Sequence, residues 1–221
     1  MYKLNEMFET IQGEGTYTGV PSVFIRLQKC SVGCAWCDTK QTWAVNLEDE
    51  QTVGQILAKN MESANWCQVS AKDLVSIYLQ RYSAKHIVIT GGEPCEYDLF
   101  PLTSAFEALG CSCQIETSGT AEVKVTDNTW VTVSPKVAMK AQLPILASAM
   151  RRANEIKHPV GTQKDIDQLD ALLVTSPVAD DAVISLQPIS QKSRATQLCI
   201  ETCIKRNWRL SIQTHKYLNI A

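Results

Sequence analysis

The chain has 221 residues, 45% of them hydrophobic, which suits one ordinary globular domain with a sizeable core. A formal net charge of −2 and a pI near 5.9 give no electrostatic ground to expect nucleic acid as a partner. No stretch is long and apolar enough to span a bilayer, and Met1-Tyr2-Lys3-Leu4-Asn5-Glu6 lacks the apolar core of a secretory signal, so a cytoplasmic protein with no membrane partner is expected.

Along the chain, short β-rich runs alternate with helical patterns, which predicts a parallel sheet covered by helices. Strands are predicted at Val23–Leu27, His86–Thr90, Ser112–Thr117, Trp130–Val133, Asn154–Lys157, Val183–Gln187 and Arg209–Thr214. Ser70-Ala71-Lys72-Asp73 reads as a capping box before a helix over Leu74–Tyr82. A second helix, Leu99–Leu109, runs into Gly110, a natural residue to follow a helix end. Pro144–Arg152, Asp165–Leu173 and Arg194–Arg206 complete the helical set. Residues 44–69 hold one helical patch, Val53–Met61, and read as an insertion within a single domain spanning 1–221. About six βα units are fewer than the eight of a closed barrel. The expected fold is therefore α/β: a truncated, open TIM-like βα barrel.

Polar and glycine-rich residues gather just after the predicted strand ends. They include the cysteines after the first strand, Gly91-Gly92-Glu93-Pro94 after the second, and Ser118-Gly119-Thr120 after the third. Ser134-Pro135-Lys136, Lys157-His158-Pro159, Pro188-Ile189-Ser190 and His215-Lys216 follow later strands. In parallel α/β folds that edge carries the site, because the loops converge there.

Nine cysteines are many for this length, and the number is odd. In a reducing compartment, clustered cysteines are more often metal ligands or catalytic groups than disulfides. Cys67, Cys95, Cys111, Cys113, Cys199 and Cys203 are scattered and read as small buried apolar residues. Cys30, Cys34 and Cys37 form C-x3-C-x2-C. Thiolates are the usual ligands of iron–sulfur clusters, and this spacing lets one loop wrap a cubane, with Gly33 easing the backbone. A structural zinc ion normally takes four ligands, and no nearby His or Cys is a good fourth. Three ligands leave one iron of a [4Fe-4S] cluster open. That iron can bind the amino and carboxylate groups of S-adenosylmethionine, so that electron transfer breaks a C–S bond and releases a 5′-deoxyadenosyl radical.

The cysteine pattern, with Trp36 before the third cysteine, resembles the signature of the radical S-adenosylmethionine superfamily, and Thr90-Gly91-Gly92-Glu93-Pro94 resembles its GGEP motif. Nearly the whole chain is similar to the 7-carboxy-7-deazaguanine synthase family. The similarity is carried by Glu6–Gly15, Phe24-Ile25-Arg26-Leu27, Cys37-Asp38-Thr39, Glu116-Thr117-Ser118-Gly119, Val133-Ser134-Pro135-Lys136 and Gln187-Pro188-Ile189-Ser190. The resemblance implies a homodimer, Mg²⁺ as a further cofactor, and an electron donor such as flavodoxin or ferredoxin. It implies conversion of 6-carboxy-5,6,7,8-tetrahydropterin to 7-carboxy-7-deazaguanine with loss of ammonia, in the biosynthesis of queuosine and related 7-deazapurines. The chain has the short first cysteine gap, where some relatives carry a longer one.

Site roles follow from the same resemblance. Trp36, Cys37, Asp38, Gly92, Glu93, Ser134, Pro135, Lys136, Gln187, Pro188, Ile189 and Ser190 match contacts of S-adenosylmethionine, and Thr39 matches a Mg²⁺ ligand. Ile11, Gln12, Gly13, Arg26 and Thr90 match substrate contacts, and His215, at the end of the last predicted strand, is a further candidate. Read as residues alone, Lys136 is also an ordinary solvated charge, and His86 and His158 read as structural. Arg26 stands in an otherwise apolar strand, where a guanidinium fits either a substrate carboxylate or a structural ion pair.

Two other functions fit parts of the pattern. A glycyl-radical-enzyme activase shares the cysteine spacing, and a non-catalytic iron–sulfur or zinc module would explain the cysteines but leave Gly91-Gly92-Glu93-Pro94 without a task. Replacing Cys30, Cys34 or Cys37 by Ala is expected to abolish turnover and the cofactor-induced change in the reduced cluster's paramagnetic resonance spectrum. Ser replacements at the other six are expected to keep the cluster. Loss of iron in Cys67→Ser with retention in Cys30→Ala would overturn the ligand set.

Overall fold

A computed structural model describes residues 1–137 and 139–218. In order they form β1 (Tyr2–Ile11), β2 (Pro21–Leu27), α1 (Val53–Leu57), β3 (Cys67–Val69), α2 (Ala71–Arg81), β4 (His86–Gly91), α3 (Phe100–Glu107), β5 (Ser112–Thr117) and β6 (Trp130–Val133). Then come α4 (Ala147–Arg152), β7 (Glu155–Val160), α5 (Gln163–Thr175), β8 (Val183–Pro188), α6 (Ser193–Arg206), β9 (Arg209–Leu210) and α7 (Thr214–Leu218). The strands make one sheet in the order β3-β1-β2-β4-β5-β6-β7-β8-β9, with β3 and β9 at its two free edges. From β2 to β9 every pairing is parallel, while β1 runs antiparallel to β2 and to β3. The barrel is open.

Side chains alternate across a strand, so each central strand has two unlike faces. One face carries Val23, Ile25, Leu27, Ile87, Ile89, Ile115, Val131, Val133, Ile156 and Leu186, all fully buried in the main core with Leu74 of α2, Phe106 of α3 and Leu169 of α5. Each such side chain stabilises the fold by about 2 kcal/mol when taken from water. The other face carries Arg26, Thr90, Glu116, Ser134, Lys157 and Gln187, which line a cavity instead.

The helices start where capping chemistry permits. Ser70 Oγ accepts from the Asp73 amide at 3.2 Å, and the Asp73 carboxylate accepts from the Ser70 amide at 2.8 Å, which closes the predicted capping box of α2. Thr162 and Asp165 do the same for α5. Asn207 ends α6 in the left-handed region.

Several sequence expectations are adjusted. The predicted strand Arg209–Thr214 stops at Leu210, and Thr214 opens α7, which puts His215 on a helix. Its backbone leaves the sheet because the Thr214 amide donates to Gly13 O, 2.9 Å away. The helix predicted over Pro144–Arg152 begins at Ala147, since the Leu146 amide is taken by Gly119 O at 2.8 Å, and the Val53–Met61 helix ends at Leu57. No helix joins β5 to β6 among the described residues. That crossing is an irregular loop whose carbonyls at Thr126, Asp127 and Thr129 accept from the Arg152 guanidinium. Strand β1 shows no regular alternation in the sequence because a register shift between Leu4 and Glu6 breaks it. Residues 44–69 contribute α1 and then β3, which adds to the edge of the sheet beside β1.

The end of β4 lies closer to β2 than a side chain allows. A Cβ on Gly91 would sit 2.2 Å from Leu27 O, and one on Gly92 only 2.0 Å from Lys29 O. This approach allows the Gly92 amide to reach Leu27 O at 2.9 Å and the Glu93 amide to reach Lys29 O at 2.8 Å. Gly92→Ala is therefore expected to destabilise the fold by about 3 kcal/mol and to lower iron retention. Gly54→Ala on α1, whose added methyl meets nothing within 4 Å, is expected to change stability by less than about 1 kcal/mol. Thermal unfolding and iron content measure both, and an unchanged midpoint for Gly92→Ala would refute the packing argument.

Candidate active site

A cavity of ≈ 590 Å³ opens at the C-terminal ends of the parallel strands. The loop after β2 forms one wall. Lys29 (φ 92°) and Gly33 (φ 69°) turn the backbone left-handed, and the Lys29 and Cys30 amides are tied to Thr42 O (2.7 Å) and Trp43 O (3.1 Å). This curled loop brings Cys30, Cys34 and Cys37 to the cavity, whereas the other six cysteines are buried and none lines it. The Thr39 amide donates to Cys37 Sγ at 3.4 Å, the kind of N–H···S bond that steadies a thiolate ligand. Burial pushes the Cys30 thiol up to about 11, a cost that a bound metal centre would offset by drawing the thiolate form. Among the described residues no three His, Cys, Asp or Glu groups converge as they would on one ion. A cubane is several ångströms across, and its ligands need not meet at a point.

The Gly-Gly-Glu-Pro turn forms the adjoining wall, and Glu93 anchors it. Its buried carboxylate accepts from the Cys95 amide (3.0 Å), the Thr117 hydroxyl (2.6 Å), the Ser118 amide (2.7 Å) and the Ser118 hydroxyl. With both oxygens engaged, this side chain ties the β4 loop to the end of β5. Any contact it makes with a cofactor falls to its backbone.

Of the residues singled out in the sequence, Ile11, Gln12, Gly13, Arg26, Trp36, Asp38, Thr39, Thr90, Gly92, Glu93, Ser134, Lys136, Gln187, Pro188, Ile189, Ser190 and His215 all line this cavity with the three cysteines. Pro135 does not; it is buried, while its neighbours Ser134 and Lys136 face the cavity. Lys136 is half-buried, with Nζ 2.6 Å from Ser134 Oγ, which replaces the solvated reading. His86 is buried, with its ring nitrogens 2.8 Å from Ser112 Oγ and Gln114 Oε1, and His158 bonds Asp165 O at 2.9 Å. Gly13 packs directly on His215, where a Cβ would meet the ring at 2.5 Å.

No family model matches the chain. Curated relatives do. Over its full length it is 61% identical to 7-carboxy-7-deazaguanine synthase of Escherichia coli strain K12, covering 99% of that protein. It is 48% identical over 99% of both chains to the same-named protein of Buchnera aphidicola. The crystal structure of QueE from Escherichia coli superposes with a TM-score of 0.93 at 60% identity, covering 96% of this chain and 93% of that one. The chain belongs to the 7-carboxy-7-deazaguanine synthase family. It is an enzyme.

Within this synthase-family site the sequence reading did not assign roles to Glu14, Glu116, Lys157 and Gln213, all of which line the cavity. Lys157 Nζ lies 2.7 Å from Glu14 and 2.8 Å from Glu116, and Gln213 donates to Glu14 at 2.7 Å. Glu116 and Lys157 sit among other polar residues of β5 and β7, so neither stands out in the sequence as Arg26 does in its apolar strand. Burial would raise Glu14, but Lys157 and Gln213 overcome it and hold this carboxyl at about 2. Burial raises Glu116 to about 7, and the carboxylates of Glu14 and Glu155 add to that against the pull of Lys157. Lys157 would be lowered by burial, yet its two carboxylates hold it above the ordinary lysine range.

An acid raised on folding stabilises the fold below its unfolded pKa and loses that contribution as pH climbs to its folded value. For Glu116 the loss falls between the ordinary glutamate value of 4.5 and about 7. Glu14 acts oppositely, losing its contribution as pH falls from 4.5 towards about 2. Glu116→Gln is therefore expected to flatten the decline in melting temperature from about pH 5 to about pH 7. An unchanged slope in that variant would show that Glu116 is ionised throughout.

Proposed function

We propose that the chain converts 6-carboxy-5,6,7,8-tetrahydropterin to 7-carboxy-7-deazaguanine and ammonia as a radical S-adenosylmethionine carbon–nitrogen lyase, in the making of queuosine and related 7-deazapurines. The observation that carries this reading is the meeting of two motifs in one cavity: Gly92 rests on the backbone of Lys29, beside Cys30. When bound, a [4Fe-4S] cluster on Cys30, Cys34 and Cys37 together with S-adenosylmethionine supplies a 5′-deoxyadenosyl radical that takes a hydrogen atom from the substrate.

The remaining work belongs to the chain. Ser134, Lys136, Gln187, Pro188, Ile189 and Ser190 offer a wall for the adenosyl part, and Trp36, Asp38 and the Gly92-Glu93 backbone offer one for its methionyl end. Arg26, beside Thr90 across the β2/β4 ladder, suits the pterin carboxylate. Gln12, Gly13 and His215 approach the ring from the loop after β1 and from α7. Glu116, with its proton affinity near neutrality, suits holding or moving a proton at a ring nitrogen as ammonia leaves. Thr39, with Oγ1 3.6 Å from Cys37 Sγ, offers oxygen to Mg²⁺.

The reading extends to the setting. A homodimer is supported by the exposed apolar residues Leu210, Ile212, Tyr217 and Leu218 at and after the β9 edge. A flavodoxin or ferredoxin donor is supported by the exposure of Trp36 on the cysteine loop, and a cytoplasmic site by nine free cysteines. No helix among the described residues is long and apolar enough to cross a membrane. Residues 1–221 read as one domain with an insertion at 44–69, supported by a core cluster running from Tyr2 to Cys203.

Substrate and products balance atom for atom, so no net oxidant is consumed and the cofactor can be re-formed each cycle. The test is anaerobic reconstitution with iron and sulfide, then incubation with reductant, S-adenosylmethionine, Mg²⁺ and the carboxytetrahydropterin. The expected outcome is deazaguanine product with equimolar ammonia. Thr39→Ala is expected to keep the cluster and lose most of the stimulation by Mg²⁺; equal stimulation in both proteins would remove this side chain from the metal site. Cofactor cleavage without pterin conversion would overturn the substrate assignment.

A further inference from the structure

Strands β1 and β2 pair so that Leu4 faces Leu27 but Glu6, not Asn5, faces Arg26. The extra residue is Asn5, whose buried amide bonds Gln28 Oε1 at 2.8 Å and the carbonyls of Ser63 and Asn65. Directly opposed residues of an antiparallel pair share a face, so this shift brings the Glu6 carboxylate to Arg26. Glu6 Oε1 accepts from Arg26 Nε. The guanidinium carbon lies 5.9 Å from the centroid of the Phe8 ring, which stacks on Phe24 at 5.4 Å. Among the described residues, the two terminal nitrogens of Arg26 have no recorded protein acceptor, and Arg26 lines the cavity whereas Glu6 does not.

A guanidinium can grip a carboxylate by two parallel bonds through its end, using both terminal nitrogens, or through the side that contains Nε. The two grips point in different directions in the guanidinium plane, and a substrate held by the wrong one is turned with respect to the reacting carbon. We propose that Glu6 is a positioning residue for the substrate: it occupies the Nε side of Arg26 and leaves the two-nitrogen end as the edge that holds the pterin carboxylate. The inference rests on Arg26 being the carboxylate ligand of the proposed reaction. Lys59 supports the arrangement from the 44–69 segment. Its ammonium, bonded to Asn5 O (3.0 Å) and Asn5 Oδ1 (3.2 Å), ties that segment to the bulge that sets the Glu6 register.

Two properties of Glu6 are separable. Its oxygen orients the fork, and its charge repels the substrate carboxylate at short range. Glu6→Gln keeps an oxygen acceptor and removes the charge, so it is expected to bind pterin as tightly as the parent or more so, with the same 5′-deoxyadenosine released per product. Glu6→Ala frees the Nε side. It is expected to bind pterin about tenfold more weakly and to release several-fold more 5′-deoxyadenosine per product, because a shift of about an ångström at the reacting atom is costly. Glu6→Asp, which withdraws the oxygen by one methylene, is expected to fall between them and serves if the alanine variant does not fold.

The experiment uses the cluster-loaded enzyme. Pterin binding is measured by equilibrium dialysis with S-adenosylmethionine but no reductant, so that no turnover occurs, and the ratio of 5′-deoxyadenosine to product is measured under reducing conditions. Arg26→Lys runs beside the Glu6 variants and is expected to bind S-adenosylmethionine normally, bind pterin weakly and lose coupling. If Arg26→Lys is impaired while Glu6→Ala and Glu6→Asp match the parent in both readouts, the positioning role is wrong and Arg26 stands. If Arg26→Lys itself matches the parent, the reading of Arg26 falls, and the Glu6–Arg26 pair is a structural bridge. A Glu6→Gln enzyme as uncoupled as Glu6→Ala would also overturn the proposal, since the acceptor and not the charge is held to orient the fork.

Discussion

Lys157 is an ammonium shut inside the mouth of the barrel, with a side chain only 7% exposed. A charge taken so far from water must be matched by opposite charge nearby, or it is lost as a proton. Here Glu116 meets it from the neighbouring part of the sheet and Glu14 from the loop after β1. The second partner has the wider consequence, because satisfying Lys157 draws residues 12–20 across the open barrel. Once there, the Gly15 amide reaches Ser211 Oγ at 3.0 Å, and the Thr16 amide reaches Glu155 at 3.2 Å. Tyr17 then fits against the rings of His86 and Trp130. One buried cation thus organises the loop that crosses the mouth of the open barrel. It also divides its two carboxyl partners into one firmly ionised and one near its midpoint.

The opposite wall depends on the absence of side chains. Gly91 and Gly92 let the end of β4 lie against the β2 backbone, and the bond from the Glu93 amide to Lys29 O secures the first cysteine's loop to the turn. Glu93 then passes the constraint to β5 through Thr117 and Ser118. The two motifs are not merely neighbours in this arrangement. The shape of each requires the other, which suits a site where cofactor and ligating loop must keep a fixed relation.

Much of this was legible in the residues. The parallel strands from Val23 to Leu186 announced themselves as short β-rich runs between helical patterns, and the capping box at Ser70 did so by composition, whereas the one at Thr162 went unread. The cysteine loop was legible from spacing alone. Three things were not. The bulge at Asn5 hides β1, since pairing register depends on the partner strand and leaves no periodic trace. The early stop of β9 depends on a bond between Thr214 and Gly13, at opposite ends of the chain. The Lys157 network needs Glu14, Glu116 and Lys157 to meet across long stretches of sequence. Unlike Arg26, the latter two lie in strands that already carry other polar residues, so neither looks out of place.

The bonds that join Gly13 to Thr214 and Glu14 to Gln213 span 201 and 199 residues. Contacts of such separation carry the largest loop-closure cost and form late in folding. During synthesis the cysteine loop, the Gly-Gly-Glu-Pro turn and most of the sheet emerge well before Gln213. The wall around residues 12–14, by contrast, waits for the final stretch of chain to pass Gln213 and dock. The order of synthesis therefore favours the side of the cavity that carries the cysteine loop, so a nascent chain can have Cys30, Cys34 and Cys37 in place while the wall around residues 12–14 is still open to solvent.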